Sequence, residues 1–171
     1  MNDTASHEQP PTIDLDLRSR AHEGPPPLDD TRFNFFLIDT GWNEPVSKVV
    51  HKHFPQIQKH LPHAKLFMLD ADQSVEILRH LPEAIGHDPM ILVYDLYKPH
   101  TARQTNYKGF RLSLGLLRHP EQAQARLHEF VRFIVVHRQS ERLDREVRRE
   151  LHREGVEGMI KILRESTTEI L

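Results

Sequence analysis

The stretch Phe33–Phe54, FNFFLIDTGWNEPVSKVVHKHF, decides how the rest of the chain is read. Phe33, Phe35, Phe36, Leu37 and Ile38 form a short bulky apolar run that stops at Asp39-Thr40-Gly41. Aromatic and branched residues bounded by turn residues predict a buried strand. Pro45 follows at the opening of a helix, where its missing N–H removes no hydrogen bond. Val46, Val49, Val50, Phe54 and Ile57 then recur near the 3.6-residue period of an amphipathic helix. Pro55 lies inside that pattern and predicts a kink, or the end of the helix's first part.

Working outward, Ala64–Asp70 reads as a second buried strand closing on acidic residues, and a helix follows from Gln73 to about Leu81. Asp72, Gln73 and Ser74 are its candidate caps. Pro89–Tyr94 is a third strand, and Phe110-Arg111-Leu112-Ser113-Leu114 alternates as a fourth, after a polar loop at Pro99–Asn106. From Glu121 a helix runs through Ala123, Leu127, Phe130, Val131 and Ile134. The order β-α-β-α-β-β-α predicts an α/β fold, a mixed sheet flanked by helices.

The flanks differ in character. Residues 1–30 are rich in acidic residues and proline, with Gly24-Pro25-Pro26-Pro27 unable to sit inside a helix or central strand. They read as a disordered arm, within which Thr12–Leu17 alternates and is alternatively an edge strand. Residues 137–171 read as a charged, helical C-terminal extension in which Leu143, Val147 and Leu151 make a narrow stripe. Gly155 and Gly158 interrupt it, ahead of a short apolar cluster at Met159, Ile160, Ile162 and Leu163. The folded domain is therefore expected over 31–136.

The totals narrow the class. In 171 residues the formal charge is −2, which gives no electrostatic pull toward nucleic acid or an anionic membrane. No run has the length and apolarity of a transmembrane helix. The opening MNDTASHEQPPTIDLDL has neither a basic n-region nor an apolar h-region, so a cytoplasmic location is the expectation. The chain contains no cysteine.

A strand running through a Trp-containing turn into a helix N-terminus resembles the active-site turn of the thioredoxin family. Where that family carries Trp-Cys-Gly-Pro-Cys, this chain has Trp42-Asn43-Glu44-Pro45-Val46. Dithiol exchange needs an attacking thiolate and a resolving thiol, and Asn43 and Val46 are neither. The resemblance extends to Asp88-Pro89, at the place of the family's cis-proline, and to Gly115, before its last helix. It implies a thioredoxin-like, redox-inactive domain over about Phe33–Ile134. A shorter resemblance, through Asp70–Ser74, the Pro89 strand, Asn106–Gly109 and His119-Pro120, is to the thioredoxin-like accessory proteins of hydrogenase maturation. Those also lack the cysteine pair and act as chaperones.

The resemblance implies a peptide- or protein-binding edge made of Trp42, Asn43, Glu44, Pro45, Asp88, Pro89, Leu114 and Gly115. Backbone groups beside Asp88 would bind an extended segment by β-addition. Trp42 and Leu114 would add apolar contact, with Asn43 and Glu44 setting specificity. On this reading no residue is catalytic and no cofactor is implied. Two rivals stand beside it: a thiol-ligand enzyme using Ser47 near the helix N-terminus, and a structural subunit docking through Leu143, Val147 and Leu151. The 13 histidines include His51, His53, His60 and His63 in one segment. His51 and His53 point to different faces of a helix and none sits in an HExxH-like pattern, so no metal site is expected.

Overall fold

The computed structural model describes residues 32–97, 107–154 and 159–164. The arm expected over 1–30 and the whole loop at 99–106 lie outside them. β1 (Phe33–Ile38) is followed by α1 (Glu44–His53), a 3-10 turn at Phe54–Gln56, and α2 (Ile57–His60). Then come β2 (Lys65–Met68), α3 (Ala71–Arg79), β3 (Met90–Asp95) and β4 (Tyr107–Ser113). α4 (Pro120–His137), α5 (Leu143–Glu154) and β5 (Ile160–Arg164) complete the described chain. Pro55 acts as expected: the α-helix gives way to a 3-10 turn where its ring removes a donor.

The five strands form one mixed sheet in the order β2-β1-β3-β4-β5. β1 and β2 are parallel, and every other neighbouring pair is antiparallel. All six β1 residues are buried because helices cover both faces, which is why β1 reads as an unbroken apolar run. Phe35, Leu37, Val93 and Phe110 meet α1, α4 and α5 on one face, around Val50, Phe130, Ile134 and Leu143. Phe36, Ile38, Met90 and Leu92 meet Ile77 and Leu78 of α3 on the other.

Three expectations are corrected. β2 is not buried: among the described strands it is an edge strand, hydrogen-bonded to β1 alone, and Phe67 and Met68 are exposed. The cap of α3 is Asp70, whose carboxylate accepts from the Gln73 N–H while the Gln73 side chain accepts from the Asp70 N–H. This is a reciprocal capping box. The C-terminal segment is not wholly helical. Ile160 and Ile162 fall on the α1/α4 face and Leu163 on the α3 face, so β5 alternates along β4 as a strand must.

Candidate functional site

The register brings three loops to one end of the sheet, since Ile38 at the end of β1 lies opposite Met90, and Met90 opposite Ser113. The loops are Asp39–Asn43, His87–Pro89 and Leu114–Gly115. Asp88 Oδ2 accepts from both the N–H and the hydroxyl of Thr40, at 2.8 and 2.6 Å. The Leu114 N–H donates to Pro89 O at 2.9 Å, and the Gly115 N–H to His87 O and Pro89 O at 3.1 Å each. The Asp88–Pro89 peptide bond is cis. Gly115 has a steric reason to be glycine, because a Cβ there would lie 2.0 Å from Asp88 O.

A second network anchors α1. Asp39 Oδ1 accepts from the Gly41 N–H at 2.8 Å and from Ser47 Oγ at 3.0 Å, and Asp39 Oδ2 lies 2.8 Å from His51 Nε2. Gly41 takes φ +81°, a left-handed conformation that glycine adopts without a Cβ penalty. Ser47 is buried and its hydroxyl is directed at a carboxylate, with the imidazole on the carboxylate's far side. Nucleophile activation needs the imidazole between the two. The Ser47-Asp39-His51 contacts are therefore an anchor for the helix start.

Of the edge residues named from the sequence, Trp42 is 55% exposed, and Glu44 and Pro45 are also exposed. Glu44 forms an ion pair with Lys48 at 2.8 Å. The hydrogen bond and charge of Lys48 hold the Glu44 carboxyl below its ordinary pKa, and the lysine is raised in return. Asn43 is half-buried, and its Nδ2 donates to Gly115 O at 3.2 Å, so its amide is spent on the loop. Asp88, Pro89, Leu114 and Gly115 are all buried. They fix the loops, and Leu114 offers no apolar contact to a partner, contrary to expectation.

Two residues that the sequence did not single out complete the surface. Ile85 is 63% exposed and Val75 on α3 is exposed too. With Trp42, Leu78, Gly86 and Asp88 they line a groove of about 410 Å³. The available signal was Ile85 itself, a β-branched residue in the Pro82–Gly86 turn with no strand or helix face to bury it. A separate cleft of about 360 Å³ between α1–α2 and α4 is lined by His53, His60, Glu121 and His128. Among the described residues no group of three or more His, Asp or Glu side chains is placed to hold a metal ion.

The supposed docking stripe on the C-terminal helix turns inward. Leu143 and Val147 belong to the chain's own core, because α5 folds back onto the α1/α4 face. The Leu151 side chain lies outside those described. No helix among the described residues is long and apolar enough to cross a membrane. Compared with family models, curated proteins and solved structures, the chain matches none.

Proposed function

We propose that this chain is a redox-inactive, thioredoxin-like protein-binding module that holds a segment of another protein, as an assembly factor or chaperone does. The support for the family reading is the strand order, with β1 and β2 parallel and β3 and β4 antiparallel, and the meeting of the Trp42, Pro89 and Gly115 loops at one end of the sheet. A role in hydrogenase maturation is one concrete version.

One observation carries the binding reading: two large apolar side chains, Trp42 and Ile85, stand exposed around a groove beside the Asp88–Pro89 turn. An exposed aromatic beside an apolar groove is the composition of a binding hot spot. Asp88 is only 1% exposed, so a partner meets the groove's side chains and not the Asp88 backbone. The buried loop residues hold Trp42 in place, and the groove takes an apolar side chain from the partner.

The test uses the chain's single tryptophan, whose emission reports on the groove directly. Peptides selected from a random display library against the wild type are expected to shift Trp42 emission on binding. Ile85→Asp is expected to weaken them tenfold or more, with folding stability changed by less than about 0.5 kcal/mol because the site is exposed. Selected peptides that leave Trp42 emission unmoved, or that bind Ile85→Asp as tightly as wild type, end the proposal.

A further inference from the structure

Arg111 lies in the middle of β4 and is 1% exposed. Its Nη1 is 3.3 Å from Glu83 Oε1, a long contact to a side chain that is itself 56% exposed. Nε and Nη2 meet no acceptor among the described residues. These two atoms form one edge of the guanidinium, and their N–H groups run parallel as a fork that matches the two oxygens of a carboxylate or phosphate. Arg32 shows the same edge at work in this molecule: its Nε and Nη2 donate to the two oxygens of Asp95 at 2.8 and 2.7 Å.

The surroundings of Arg111 add to the case. Arg111 lies opposite Leu92 on β3 and opposite Lys161 on β5, so Arg111 and Lys161 share the α3 face of the sheet. Like charges directly across a strand pair repel, and an anion between them reverses the sign of that interaction. Ser113, two residues along on the same face, is fully buried with its Oγ also unpaired. Two adjacent cations, one buried hydroxyl and an unpaired bidentate fork leave donors in excess of the one Glu83 carboxylate beside them. A buried charge left without a partner is strongly unfavourable.

We infer that the Arg111 fork binds a small oxyanion, a carboxylate or phosphate group that offers two oxygens to Nε and Nη2, with Ser113 as a further donor and Lys161 as the second positive charge. None of these three residues lines the Trp42–Ile85 groove.

The experiment follows thermal unfolding of the full chain at constant ionic strength in chloride, titrating inorganic phosphate or, separately, acetate. At least one is expected to raise the midpoint saturably. A rise with phosphate alone identifies a phosphoryl ligand, and a rise with acetate identifies a carboxylate. Arg111→Met is expected to abolish the response, and Arg111→Lys, which keeps the charge and loses the fork, to weaken apparent affinity tenfold or more. No saturable rise with either anion, or an undiminished rise in Arg111→Met, overturns the inference. If Arg111→Met does not fold, the lysine variant decides, and an anion response as tight as wild type overturns it.

Discussion

Arg32, just ahead of β1, and Arg111, in the middle of β4, are each about 1% exposed, yet they end in different company. Arg32 is saturated. Its fork grips Asp95, its Nη1 donates to Arg138 O and Ser140 O at 2.9 and 2.7 Å, and its guanidinium carbon lies 5.0 Å from the centre of the Tyr97 ring. Asp95 is satisfied in turn by the Tyr97 N–H and the Tyr107 hydroxyl. That arginine ties the sheet to the turn between α4 and α5, a structural assignment. Arg111 has the same burial and the same donors, without a carboxylate for its fork among the described residues. The difference teaches that burial alone does not mark a structural charge; what marks it is whether the fold supplies the counter-charge.

The largest effect is expected from making the first site resemble the second. Asp95→Ala leaves Arg32 buried with Nε and Nη2 unpaired, and removing one partner of a buried ion pair costs about 3–5 kcal/mol. Urea unfolding with linear extrapolation measures it. A loss below about 1 kcal/mol would break the comparison, because an unpaired buried fork would then be cheap in this fold and Arg111 would call for no ligand.

Neither arginine's situation was legible in the sequence, for different reasons. Arg32 and Asp95 flank apolar runs 63 residues apart, and only the antiparallel register of β1 on β3, with Phe33 opposite Asp95, makes them neighbours. In β4 the alternation Phe110-Arg111-Leu112-Ser113 marks the strand the structure forms, but period-two alternation suggests a wet polar face. Here that face is covered as well, so Arg111 and Ser113 are buried. The buried stripe of α4 was fully legible, since Ala123, Leu127, Phe130, Val131 and Ile134 all reach the core. At the candidate site, the sequence supplied the loops that converge. It did not separate Trp42, which is exposed, from Pro89 and Leu114, which are buried, because all three are simply apolar residues at loop ends.

A smaller effect, of opposite sign, is expected at the second site. Arg111→Met removes a buried cation while keeping an unbranched side chain that fills the space. Replacing buried charge by apolar volume is commonly neutral or stabilising. In chloride buffer without phosphate or acetate the variant is expected to match the wild type or exceed it by up to about 2 kcal/mol. A loss comparable to that of Asp95→Ala would mean that Arg111 is already paired within the fold.

The smallest effect separates those possibilities most sharply, because among the described residues Glu83 is the counter-charge paired with Arg111. If Glu83 served Arg111 as Asp95 serves Arg32, deleting it would cost several kcal/mol. The geometry argues otherwise: the contact is 3.3 Å, reaches Nη1 alone, and comes from a side chain more than half in water. With one of its two charges in water, the pair is screened toward the roughly 0–1 kcal/mol of surface pairs. Glu83→Ala is therefore expected to lower stability by about 1 kcal/mol or less and to tighten anion binding slightly, since a negative charge near the fork competes with the ligand. Stability and phosphate or acetate affinity measured on the same preparation give both numbers. A large loss of stability with no change in affinity would make Glu83 the true partner and turn Arg111 into a second Arg32.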